Sequence, residues 1–294
     1  MQTPFGHTLN FTLSLSRSRF GLGPGWAVLA GALSTGFSEV TLSGLLPLFS
    51  LWLLVDPILG TLWELNVQQG LWRQIRYAHL PPPPAVGFSI PYAQPGSMAG
   101  RFVLTWRRYR VWWRETYGPD CSTNLAAFGL GIVMALLIAF FLGPVIFWLT
   151  LLTIILILLA GRHRPDLTTA GGGRVQAVGQ WLIPWLMGSL LWSSFNLLSL
   201  ALAICYGAVY LGGLRLEGHH HHADKLFYIG QLAALMLLLS QRLLPGAAVL
   251  SVLLLTQWLI QTRFRRKYGF LSKVQPYLVV SALVAGLSAG SLAW

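Results

Sequence analysis

The chain has 294 residues, 55% of them apolar and only 10% charged, and its 20 Lys and Arg against 8 Asp and Glu give a formal charge of +12. A soluble domain carries roughly 25% charged residues, and the apolar residues here come in long runs, not in the short alternation of a soluble core, so the composition excludes a soluble enzyme and points to a polytopic helical membrane protein. The basic residues lie beside the apolar runs, which directs their charge to anionic lipid headgroups and away from nucleic acid, while Cys121 and Cys205 neither neighbour a second cysteine at metal spacing nor indicate a disulfide framework.

The N-terminal stretch carries Arg17 and Arg19 ahead of an apolar run, and the small residues of Ala27–Ala32 resemble a signal-peptide cleavage region. The preferred reading of the same residues is an uncleaved first span, because the topology closes with it. Apolar segments then follow one another as Gly21–Phe37, Val40–Leu65, Leu125–Leu142, Val145–Ala160, Val175–Trp192, Asn196–Leu214, Leu226–Ser240, Ala247–Ile260 and Val274–Ala293. Leu125–Ala160 as one helix would be far longer than a bilayer needs, and Gly143-Pro144 supplies the break, since Gly tolerates turn geometry and Pro fits the first turn of the next helix.

Charge tests the division. Cytoplasmic loops carry an excess of Lys and Arg, and that bias sets orientation. With the N-terminus inside, one set of gaps holds Arg17, Arg19, Arg73, Arg76, Arg101, Arg107, Arg108, Arg110, Arg114, Arg162, Arg164, Arg174, Arg215, Lys225, Arg263, Arg265, Arg266, Lys267 and Lys273. The other set holds Arg242 alone. The expected architecture is therefore all-α: a single membrane domain over residues 1–294, about nine transmembrane helices, N-terminus cytoplasmic and C-terminus outside, with a cytoplasmic loop or cap over residues 66–124. A bacterial cytoplasmic membrane is the expected location.

Within that loop, Pro81–Pro84 is a stiff polyproline stretch and Gly87–Gly100 is turn-rich. Arg101–Glu115 then reads as an amphipathic interfacial helix, with Phe102, Val103, Trp106, Tyr109 and Trp113 expected on one apolar face and arginines around the rest. It serves either as an anchor on the inner leaflet or as a lid over a cavity between helices.

Among the eight acidic residues, Asp56 is the one placed well inside an apolar segment. An intramembrane carboxylate is costly and normally faces the bundle interior or a polar cavity. At helical spacing Asp56, Gly60 and Glu64 share a face that ends at the cytoplasmic side, and two carboxylates there would suit Mg²⁺, a hard ion that takes oxygen ligands and bridges to phosphates. The competing reading is a helix kinked or capped at Pro57, with Glu64 an ordinary membrane-end charge. A second polar cluster, Arg215–Lys225, contains Glu217, His219, His220, His221, His222 and Asp224. In a loop some of these imidazoles and carboxylates would ligate a transition metal, or the run is a solvated loop. Asp166 belongs to a charged loop, Asn196 suits a helix cap, and Gly171–Gly173 is too short for a phosphate loop. No nucleophile elbow, paired-histidine zinc motif or nucleotide fingerprint is present.

This layout resembles the UbiA-type intramembrane prenyltransferases. The acids at the end of span 2, the His219–Asp224 cluster between spans 6 and 7, and the long loop after span 2 occupy the places of that family's two acidic motifs and its cap. The match is one of position: Asp56 and Glu64 keep the outer spacing of an N/D-x3-D-x3-D pattern, Gly60 stands where its central aspartate would be, and the second motif is reduced to Asp224 with Glu217. The resemblance implies nine helices, a cytoplasmic-side site and an isoprenyl diphosphate bound through Mg²⁺. On that basis Asp56, Glu64 and Asp224 would be catalytic, Arg73, Arg76 and Asn66 would contact the substrate, and the Trp-rich bundle would accept the tail. The function expected is binding of an isoprenoid, or of a quinone or pigment with an isoprenoid tail, with or without prenyl transfer. The alternative is a non-catalytic accessory or assembly subunit of a respiratory or photosynthetic membrane complex, so the expected partners are membrane lipids, such a ligand and other membrane subunits.

Overall fold

A computed structural model describes residues 23–36, 42–68, 97–114, 118–163, 170–192, 196–217, 223–264 and 270–293. Among these residues the protein is helical throughout, without a strand. The helices are α1 (Pro24–Leu33), α2 (42–68), α3 (Met98–Trp112), α4 (Gly118–Leu142), α5 (Pro144–His163), α6 (170–189), α7 (Leu197–Glu217), α8 (Ala223–Ser240), α9 (Leu244–Phe264) and α10 (Phe270–Gly290). Two of them change character along their length: α2 is π-helical over Leu54–Leu59 and Glu64–Gln68, and α6 over Val178–Leu182.

Among the described residues, seven stretches are long and apolar enough to cross a membrane: Gly44–Asn66, Leu125–Leu142, Pro144–Gly161, Leu197–Leu216, Ala223–Ser240, Leu244–Thr262 and Phe270–Gly290. The chain is thus a multi-pass integral membrane protein, and its outward-facing Leu130, Leu137, Phe140, Trp148, Leu255 and Trp258 are what a lipid-facing surface requires. Two expected spans fall outside the seven. α1 has 10 residues, a rise of only about 15 Å against a hydrocarbon core of about 30 Å. α6 carries Gly171–Gly173, Arg174, Gln176 and Gln180, which lower its apolar content.

The break expected between α4 and α5 is present: Gly143 has φ +121° and Pro144 opens the next helix. Asn196 also behaves as its sequence position suggests, its Oδ1 accepting a hydrogen bond from the Leu198 amide at 2.9 Å at the start of α7.

Two apolar cores are packed side by side. One is built from α7, α8, α9 and α10 and includes Phe227, Leu238, Leu278 and Ala285. The other is built from α2, α4 and α5 and includes Leu54, Trp63, Ala135 and Ile157. α1 and α6 contribute to both: Ala27, Ala30, Trp181 and Trp185 face the first core, and Val28, Ile183 and Met187 face the second. The pair is therefore a central partition. Small residues allow that placement, because Gly31 lies against the Trp185 carbonyl, Gly188 against the Val28 carbonyl and Gly286 of α10 against the Ala30 carbonyl. The Ala27–Ala32 run that resembles a cleavage region is packed at the middle of the bundle, with Ala27, Val28 and Ala30 fully buried.

Candidate functional site

Asp56 sits in the first π-helical stretch of α2, followed at once by Pro57. Proline has no N–H to give to the preceding turn, and its ring crowds the carbonyl four residues back. Widening to i→i+5 bonding accommodates it, and such π-bulges are frequent at functional sites. Thr61 donates its hydroxyl proton to the Pro57 carbonyl one turn on. Asp56 is 4% exposed, between buried Leu54, Val55 and Leu59. The intramembrane carboxylate is thus turned into the protein, as its charge demands.

Glu64 begins the second π-helical stretch and is half-buried. Eight residues of helix separate it from Asp56, a rise of about 12 Å. Mg²⁺ binds oxygen at about 2.0–2.1 Å, so one ion would reach both carboxylates only with the two side chains extended toward each other. The π turns also disturb the i, i+4, i+8 register on which a shared face was expected. Asp224 lies in the first turn of α8 and is half-buried. Glu217 ends α7. Arg73, Arg76 and His219, His220, His221 and His222 lie outside the described residues. Among the described residues no group of three or more His, Cys, Asp or Glu is gathered in one place.

Asn66, expected to touch a substrate, is 1% exposed. Its Nδ2 donates to the Ile157 carbonyl of α5, and its amide fills the space that a side chain at Gly161 would need. Its placement joins α2 to α5.

Most of the buried polarity not evident from sequence lies along the partition. Trp181 stacks on Tyr210 with centroids 6.0 Å apart at 21°, and Trp185 stacks on Tyr206 at 5.9 Å and 16°. The polar tips of this column are held by hydrogen bonds. Tyr210 donates to Gln180 Oε1 at 2.7 Å, Gln176 Nε2 donates to the same oxygen at 3.0 Å, and Trp185 Nε1 donates to Ser199 Oγ at 3.0 Å. Tyr206 Oη and Ser281 Oγ are 2.6 Å apart. The exceptions are Trp63 Nε1, Trp181 Nε1 and Gln176 Oε1, buried without a hydrogen-bond partner. A spacing of aromatics and glutamines at one helical face in α6 and α7 was the available signal.

The two π-helical regions meet at the seam between the cores. A cavity of about 10 Å³ lies there, lined by Leu59, Gly60 and Trp63 of α2, Thr153 and Ile157 of α5, and Gly179, Gln180 and Pro184 of α6. That is room for about one water. Its walls combine two glycines, a glutamine and the indole of Trp63, and Asp56 follows directly on the lining residue Val55. Chemically, the seam offers an apolar slot with a few polar groups, and Asp56 and Glu64 each follow a lining residue, Val55 and Trp63.

Comparison with family models, with curated proteins and with solved structures finds no match for this chain.

Proposed function

We propose that this membrane protein holds an isoprenoid, or the isoprenoid tail of a quinone or pigment, at the seam between its two cores. The observation that carries the reading is the convergence of the π-helical Leu54–Leu59 and Val178–Leu182 on one glycine-lined cavity beside the buried Asp56. Ligand sites are mostly apolar clefts with a few placed polar groups, and they favour boundaries between packed units. The cavity holds one water as it stands, so entry of a tail parts the two cores along α1 and α6. The likeness in layout to the UbiA-type prenyltransferases supports an isoprenoid as the occupant, and the reading includes an N-in, nine-crossing topology in a bacterial cytoplasmic membrane. Transfer of the isoprenyl group is the catalytic extension of this reading. Asp56, Glu64 and Asp224 are the acids available for it, with Arg73 and Arg76 to offset diphosphate charge.

The test is to purify the full chain in mild detergent and extract what stays bound. A retained species with isoprene mass repeats is expected from the wild type and not from Gly179→Leu, because even a Cβ at Gly179 meets the Trp63 ring at 3.2 Å and the longer side chain fills the slot. Recovery of bulk phospholipid alone from the wild type refutes the reading. For the catalytic extension, Asp56→Asn with undiminished turnover of an isoprenyl diphosphate removes Asp56 from the chemistry.

A second reading, an accessory subunit of a larger membrane complex, is favoured by the aromatic cluster at the α4–α5 turn. Phe140, Phe141 and Trp148 are 70%, 85% and 65% exposed; Phe140 and Trp148 pack edge to face on Phe147, and Phe141 does so on Phe140. Recovery of a stoichiometric multi-subunit complex without an isoprenoid would select it.

A further inference from the structure

α3 turns its two sides to different surroundings. At about 100° per residue, Gly100, Val103, Arg107 and Val111 share one side, where Gly100 is buried and the others half-buried. Phe102, Trp106, Tyr109 and Trp113 share the opposite side and are 69%, 64%, 49% and 46% exposed. Val103 is therefore not part of the aromatic face, contrary to the sequence expectation. It lies about 90° from the centre of the four-ring face, on the side nearer the buried Gly100.

The exposed rings form a shaped surface. Phe102 and Trp106 stack at 6.5 Å and 14°. With Thr105 and Arg110, the four aromatics border a groove of about 530 Å³. Sites that take drug-sized ligands run to about 300–1,000 Å³, and a contiguous exposed apolar patch marks an interaction surface. Among the described residues of α3 the charge has one sign. Arg101, Arg108, Arg110 and Arg114 are exposed, and Met98–Trp112 contains no acidic residue.

We infer that the outer face of α3 docks on the adjoining membrane leaflet, and that its groove takes an acyl chain of an anionic phospholipid whose phosphate meets Arg110. Three observations select this occupant. The rings suit the headgroup–acyl boundary, where amphipathic helices bury their apolar face. The arginines complement an anionic leaflet. The helix also belongs to a chain whose seven membrane-crossing stretches hold it near a bilayer. A diphosphate at the seam is not required, so this docking stands or falls separately from the isoprenoid reading.

The experiment uses the full chain in nanodiscs made from phosphatidylglycerol and phosphatidylcholine, with bromine on the acyl chains of one lipid at a time. Trp106 emission is obtained by subtracting the spectrum of Trp106→Phe, a substitution at an exposed ring that keeps an aromatic. Quenching of Trp106 by brominated phosphatidylglycerol is expected to exceed that by brominated phosphatidylcholine at equal mole fraction. Arg110→Gln should reduce that preference about fivefold, the factor equivalent to ~1 kcal/mol per basic residue at an anionic surface. Equal quenching by the two lipids in the wild type, or an unchanged preference in Arg110→Gln, overturns the headgroup assignment. Trp106 emission unquenched by either lipid overturns the docking and leaves a protein segment as the occupant of the face.

Discussion

Adding one methyl group at Gly188 tests whether α1 and α6 are the partition that the packing describes. A Cβ there would be driven into the Val28 carbonyl and would come within 3.0 Å of the Ala32 amide nitrogen. Both obstacles are backbone, so no side chain can rotate aside. α1 cannot retreat either, because Gly286 of α10 lies against the Ala30 carbonyl on its other side. Overpacking of this kind costs about 1–3 kcal/mol, and the absence of any yielding group puts the cost near the top of that range. Gly→Ala within a helix returns up to about 1 kcal/mol of propensity. Gly188→Ala should thus lose about 2 kcal/mol, a roughly 30-fold shift toward the unfolded state. Gly129 of α4 is the internal control, since a Cβ there meets nothing within 4 Å. Gly129→Ala should be neutral or gain up to about 1 kcal/mol. The assay is the fraction of full-length protein that elutes monodisperse after graded heating in detergent. If Gly188→Ala survives as well as Gly129→Ala, the close crossing of α1 and α6 is not what holds the bundle together.

Three further outcomes follow from other contacts. Gly161→Ala should destabilise the wild type by about 1–3 kcal/mol but be tolerated in an Asn66→Ala background, because the Asn66 amide occupies the space at Gly161; additive losses in a double-mutant cycle would contradict that contact. Gly143→Ala should cost about 1–2 kcal/mol in the same heating assay although nothing lies within 4 Å of it, since only its φ of +121° opposes a side chain; wild-type stability would mean the α4–α5 turn is shaped otherwise. The distribution of basic residues predicts that Gln241→Cys reacts with an impermeant maleimide from outside intact cells while Thr262→Cys reacts only after lysis, and the reverse pattern would invert the topology.

The helical membrane bundle was legible because long apolar runs and basic flanks are properties of sequence windows, and the Gly143-Pro144 break is a two-residue signal with a direct backbone cause. The placement of α1 was not. Its length and small residues are consistent with an ordinary first span or a signal segment, and only the three-dimensional crossing of Gly31, Gly188 and Gly286 makes it the packed centre. The burial of Asp56 was foreseeable from the cost of a charge in an apolar segment. Its register with Glu64 was not legible for a physical reason: shared-face reasoning assumes uniform α-helical turns, and the stretch around Pro57 is π-helical. The spacing of aromatics and glutamines in α6 and α7 was legible, but the pairing across helices was not, because partners such as Tyr206 and Ser281 are 75 residues apart.

The π-helical turn at Asp56 also changes how this chain must be aligned with any other. A π turn is equivalent to one residue inserted into an α-helix, which rotates everything after it by about 100°. Deleting one residue within Leu54–Leu59 would remove the first π turn, leave Leu51 where it is, and swing Trp63, Glu64 and Asn66 away from the seam and from Gly161. Relatives with the same constellation need not share the spacing between Asp56 and Glu64, and those with the same spacing need not share the constellation.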